Sequence, residues 1–168
     1  MQQKEVEYNR KYYDEWIDTY QTHHLDFDEW QKSKGIKVKE DPFILYSNEL
    51  QPVMQEYLRL DGSVRGMWSA CYRSKEWDGP LSDKIEQTCQ LCVQSFVKVQ
   101  EIDKKYKIKP MTYCGASYKL ILLYERRGDL KKAVEACDEA LVMSPGEEKY
   151  TRKREKLIKR MKRLNLSK

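Results

Sequence analysis

The chain has 168 residues and a formal net charge of +5, with 35% charged and 11% aromatic residues, which is room for one domain with its own core. Twelve Tyr, four Trp and three Phe supply the bulky surface that a disordered chain of this polarity would lack. No apolar run approaches the roughly 20 residues of a membrane span, Met1 to Glu7 carries no secretory apolar segment, and five cysteines, an odd number, fit a reducing compartment better than a disulfide framework, so the expectation is a cytoplasmic protein that does not engage a membrane.

The seven glycines and five prolines fall between periodic segments, and the pattern predicts helix throughout. Tyr8, Tyr12, Trp16 and Tyr20 stand four apart, with Tyr13 and Ile17 beside them, and make one aromatic face on a helix of about residues 4–22. A short helix follows around Phe27 and Trp30, with Asp26 as N-cap and Gly35 as its stop. Ile36 to Asp41 reads as a loop, or a brief strand without a partner. Phe43 to Leu60 is helical, with Pro52 expected to divide it in two near a cap formed by Asn48 and Gln51. Asp61-Gly62 reads as a turn and Ser63 as a cap, after which Val64, Met67, Trp68, Cys71 and Tyr72 form a buried stripe up to Asp78-Gly79-Pro80. The longest helix is expected over 81–106, its inner face formed by Leu81, Ile85, Cys89, Cys92, Phe96, Val99 and Ile102. Helices at about 112–127, 130–143 and 147–165 complete the chain, separated at Gly128-Asp129 and Ser144-Pro145-Gly146.

From Cys114 to Pro145 the spacing becomes specific. Leu120, Tyr124, Gly128, Ala133, Ala140 and Pro145 follow one another at intervals of 4, 4, 5, 7 and 5. Small alanines suit a close helix crossing, Tyr124 fills space on the first helix, Gly128 allows a positive φ in the turn, and Pro145 stops the second helix. This segment resembles a tetratricopeptide repeat, a helix-turn-helix unit of roughly 34 residues. Leu120, Ile121 and Tyr124 find apolar counterparts in Leu157, Ile158 and Met161 at a constant offset of 37, as a capping helix over the last exposed face of a stack would require. The resemblance implies that the first helix of each hairpin lines a binding groove. It places Tyr118, Leu122 and Glu125 on the outward face of the 112–127 helix, and the offset adds Lys159 and Lys162 alongside.

Charge is unevenly spread. Residues 149–168 hold ten basic side chains against Glu155 alone, a net +9, and the remainder carries −4. Tyr150, Leu157, Ile158, Met161 and Leu164 form an apolar stripe on this last helix, so it is expected to dock while Arg152, Lys159 and Lys162 point outward to an acidic partner. Phosphate is the other polyanion such a face could hold, although no base-reading motif accompanies the charge.

Chemistry-bearing groups are few. Cys89-Gln90-Leu91-Cys92 has metal-ligand spacing but no second pair, and both cysteines lie on the apolar stripe, where thiols pack as small hydrophobes. His23 and His24 with Asp26, Asp28 and Glu29 read as a polar helix end followed by an acidic helix start. The aromatic face of the first helix could stack bases, but only Arg10 and Lys11 lie near it, and core packing is the better reading. No nucleotide-binding, metalloprotease or serine-hydrolase motif is present. The sequence therefore predicts one all-α domain over 1–168, a helical bundle or short α-solenoid comprising an N-terminal helical part, 1–78, and a tetratricopeptide-like part, 79–168. It is expected to be a non-enzymatic module without metal or cofactor that binds another protein, with a nucleic-acid accessory role as the alternative.

Overall fold

A computed structural model describes the backbone of residues 2–36 and 41–166, and the side chains of 11–36 and 41–164. Among these residues there are seven helices and no strand: α1 (Gln2–His23), α2 (Phe27–Ser33), α3 (Pro42–Ser74), α4 (Pro80–Lys105), α5 (Gly115–Arg126), α6 (Leu130–Met143) and α7 (Glu148–Leu166). The all-α expectation holds. Residues 37–40, which include most of the segment read as loop or brief strand, lie outside the described residues, as does the side chain of Tyr8. Contacts divide the chain into two compact units, Met1–Asp41 and Pro42–Lys168.

The first unit is a helical hairpin closed by rings. Asp26 caps α2 by accepting the Glu29 N–H at 2.8 Å, and Gly35 follows the helix at φ 67°, as their residue types predict. Trp16 lies 5.5 Å from Phe27 and 5.6 Å from Tyr20, both edge-on, and its indole N–H donates to the Leu25 carbonyl at 2.9 Å. Trp30 is fully buried. Tyr13, Ile17 and Tyr20 stay well exposed, so only part of the expected aromatic face is core.

In the second unit α3 is one helix of 33 residues, which corrects three expectations: the break at Pro52, the Asn48–Gln51 cap and the turn at Asp61-Gly62. Tertiary burial overrides the local breakers. Tyr57, Leu60, Val64 and Cys71 form an unbroken buried stripe across the supposed turn. Asp61 is only 6% exposed and pairs with Arg65 one helical turn on, at 2.6 Å, an arrangement that needs helix at both residues. Pro52 is exposed, so the carbonyl it leaves without a donor lies on the solvent side. Tyr72, assigned to the buried stripe, is 60% exposed, and Leu81 is exposed as well, so the inner face of α4 begins at Ile85.

From α3 onward each helix packs against the next in chain order, and α3 also touches α5. Two cores result. Ala116, Leu120 and Leu123 of α5 join α3 and α4, while Ile121 on the other side joins Ala133, Cys137, Ala140, Tyr150 and Leu157 of α6 and α7. Ala133 and Ala140 are fully buried at this crossing, and Gly128 takes φ 77° in the turn before it. Asp129 caps α6 through the Lys132 N–H at 3.0 Å. Buried Gln100 of α4 donates to the carbonyls of Met111 and Met143 at 2.6 and 3.1 Å, which ties α4 to the end of α6.

All five cysteines are buried and unpaired. Burial pushes the Cys89 thiol up to about 12 and Cys137 to about 11, which keeps both neutral and chemically quiet. Cys114 stands at the N-cap of α5, where the neighbouring Cys92 thiol and the first backbone N–H groups of the helix, at Ala116 and Ser117, hold its thiol below the ordinary range.

The continuity of α3 has a mutational signature. A Cβ on Gly62 would meet nothing within 4 Å, so Gly62→Ala should stabilise the chain by about 0.5–1 kcal/mol, the helix-interior preference for alanine. Thermal unfolding checks this, and a lower melting temperature would restore a turn at that position.

Candidate functional site

Tyr118, Leu122 and Glu125 form one half-buried stripe on α5, with Tyr118 packed against the second core. Helix α7 runs beside it, pinned at its start by Tyr150, whose hydroxyl accepts the Cys114 N–H at 3.2 Å and donates to the Cys114 carbonyl at 2.9 Å. Burial pushes the Tyr150 phenol up, so it stays a neutral donor and acceptor. With that anchor set, Lys149 lies between two rings, 4.5 Å from the centre of Tyr113 and 4.3 Å from that of Tyr118, and donates to the Tyr113 hydroxyl at 2.9 Å. Lys153 pairs with Glu125, and Arg160 reaches the same carboxylate at 3.7 Å. Tyr118, Leu122, Glu125, Lys149, Lys153 and Arg160 thus form a seam with four charged groups, of which three are cations.

The anchor also decides which cations meet α5. The offset of 37 placed Lys159 and Lys162 beside Leu122 and Glu125, but Lys153 and Arg160 hold that position, and Lys159 and Lys162 lie further round the helix in solvent. Arg152 is exposed and, among the described residues, pairs with Glu148 on its own helix. Arg154 pairs with Asp138 of α6. The basic helix therefore has two sides. One is neutralised against α5 and α6; the other presents Lys156, Lys159 and Lys162, for which no acid partner stands among the described residues. Positions 156 and 159 share a stripe with Arg152, and 162 flanks it.

The expected docking of α7 is observed. Tyr150 and Leu157 are buried and Met161 packs partly against the second core, although Leu164 is exposed and lies beyond it.

A second cluster escaped the sequence reading. Arg127 at the C-cap of α5, its side chain 15% exposed, pairs with Asp83 at 2.7 Å and with Glu86 at 2.5 Å, and donates to Ser82 Oγ at 2.7 Å and the Trp77 carbonyl at 2.9 Å. Its neighbour Arg126 lies over three rings, 4.0 Å from the centre of Trp77, 5.0 Å from Tyr72 and 5.6 Å from Trp68. The doubled arginine ahead of Gly128 was the available signal, but only the fold brings residues 68–86 to it. Between α3 and α4 an open cleft lined by Glu49, Val53, Lys98, Glu101, Ile102 and Lys105 is crossed by the Lys105–Glu49 pair at 2.6 Å.

Cys89 and Cys92 are buried on α4 as predicted. His23 uses Nδ1 to accept the Leu25 N–H at 2.9 Å, a helix-end contact. Among the described residues no group of three or more His, Cys, Asp or Glu is placed to hold a metal ion, and no helix is long and apolar enough to cross a membrane.

The two sides of α7 should separate in mutational tests. Leu157, 1% exposed, should cost about 2–5 kcal/mol on truncation to alanine, whereas Lys159→Glu with Lys162→Glu should change stability by less than about 0.5 kcal/mol. Urea unfolding of both variants measures this; a Leu157→Ala variant as stable as the parent would mean that α7 does not dock.

Set against family models, curated proteins and solved structures, the chain matches none, so what this surface does is argued from its chemistry.

Proposed function

We propose that the chain is a non-enzymatic adaptor that binds an acidic segment of another protein along the α5–α7 seam and the outer face of α7, on a short tetratricopeptide-like stack. The observation that carries this reading is the division of charge on α7. Lys153, Arg154 and Arg160 are committed to Glu125 and Asp138, while Lys156, Lys159 and Lys162 are left over on the outer side of α7. Unneutralised cations repel one another on a helix and favour an anionic partner, and half-buried Tyr118 and Leu122 of the seam, across the helix from them, offer the apolar contact that a protein ligand uses and a phosphate backbone does not. Packing of each helix from α3 to α7 chiefly against its neighbours in chain order supports the repeat-like part of the reading.

Nucleic acid remains the rival polyanion, and salt separates the two. Three phosphate contacts would cost roughly 40-fold in affinity between about 50 and 200 mM salt, whereas a contact resting partly on Tyr118 and Leu122 should lose much less. The experiment carries a photo-crosslinker at Leu122 and identifies what is captured from host extract with and without nuclease. A protein crosslinked in both, and lost in the Lys156→Glu, Lys159→Glu, Lys162→Glu variant, supports the adaptor. Capture abolished by nuclease, with the steep salt slope, replaces it by the nucleic-acid role.

A further inference from the structure

The Arg126 cluster lies apart from the α7 surface, and the inference drawn from it does not depend on the adaptor reading. Trp68 and Tyr72, from the last turns of α3, and Trp77, from the segment leading to α4, converge on a single guanidinium, with Trp68 and Trp77 5.1 Å apart and tilted by 52°, and Tyr72 edge-on to Trp77 at 6.4 Å. Ring faces attract cations through their quadrupoles, and three rings around one point make a cage. The cation that occupies it fits poorly. The Arg126 guanidinium lies 4.0 Å from the centre of Trp77 while Tyr72 and Trp68 stand off at 5.0 and 5.6 Å, and a flat cation with two faces cannot lie against three mutually tilted rings at once.

Nor is the guanidinium held by charge. Its neighbour Arg127 takes Asp83 and Glu86, and Asp78 at 3.9 Å, and no carboxylate pairs with Arg126 among the described residues. Arg126 is exposed, at the end of α5, free to swing its head group into water without leaving a buried charge. A site rich in ring faces, whose neighbouring Trp77 carbonyl and Asp83 and Glu86 carboxylates are taken by Arg127, favours a cation that needs no hydrogen bond. A tetrahedral, fully alkylated ammonium meets that condition: it has no N–H to satisfy, it is weakly hydrated, and its methyl groups can touch three tilted rings at once.

We propose that Trp68, Tyr72 and Trp77 form a binding site for a quaternary ammonium group, which Arg126 occupies in the absence of ligand and vacates when it binds. The test follows tryptophan fluorescence of the full chain on titration with tetramethylammonium chloride, sodium chloride serving as the ionic control. A saturable change specific to tetramethylammonium is expected, tightened roughly tenfold in Arg126→Ala, where the internal competitor is gone, and lost in Trp77→Ala. Because Trp77 is partly buried, Tyr72→Ala, which removes an exposed ring, provides a second variant that should fold normally and bind more weakly. Repeating the titration with choline and with trimethyl-lysine amide tells a free ligand from a modified side chain. The proposal is overturned if folded Arg126→Ala shows no saturable response, if sodium chloride reproduces the response, if both ring variants retain it, or if free arginine binds as tightly as tetramethylammonium.

Discussion

Arg127 closes the second unit. Its guanidinium joins the end of α5 to the start of α4 and to the carbonyl of Trp77, through carboxylates, a serine and a main-chain oxygen at 2.5 to 2.9 Å. A largely buried guanidinium is tolerable only when its fork of donors is satisfied, and satisfying it fixes the orientation of every group that accepts. The position of α5 follows from this clasp at one end and from the Tyr150–Cys114 hydrogen bonds at the other. Arg126 is carried to the aromatic cage by the same residue-to-residue geometry.

A twelve-residue helix with a core on each side has little surface left, and that surface is the candidate site. Ala116, Leu120 and Leu123 bury one side of α5 and Ile121 the other, so Tyr118, Leu122 and Glu125 are what remains. Helix α7 then sorts its charges by the same logic. Cations that reach Glu125 or Asp138 are neutralised and become part of the packing, and Lys156, Lys159 and Lys162, pointing away, have no acid partner among the described residues. The docked and the solvent-facing sides of the helix are thus distinct, which is why the Leu157 side can be tested independently of the Lys159 side.

How much of this could be read in the sequence depended on how local the determining physics was. The helices at 81–106 and 112–165 were legible because apolar periodicity, caps and the small residues Ala133, Ala140 and Gly128 all agree within one hairpin. Helix α3 was not, since Pro52 and Gly62 are breakers locally and only the continuous burial of Tyr57 to Cys71 against α4 outweighs them. Tyr72 read as core by spacing, yet it belongs to an exposed ring cluster whose centre is a cation 54 positions away in the chain. Of the candidate site, the common stripe of Tyr118, Leu122 and Glu125 on α5 follows from their four- and three-residue spacing, whereas the packing of Tyr118 against the second core does not. The cations that face α5 are Lys153 and Arg160 instead of Lys159 and Lys162, because the register is set by a hydrogen bond from Tyr150 to a backbone that no periodicity encodes.

The clasp is tested most directly by Arg127→Met, which retains the length and apolar stem of the side chain and removes the fork. Equilibrium urea unfolding, with amide hydrogen exchange read at Trp77 to Ser82 and through α5, should show a loss of about 2–4 kcal/mol, as befits a largely buried Glu86 left with the Tyr124 hydroxyl alone, together with lost protection at both ends of the contact. A variant that unfolds within about 0.5 kcal/mol of the parent, with α5 protection intact, would contradict the claim that Arg127 holds α5 against α4.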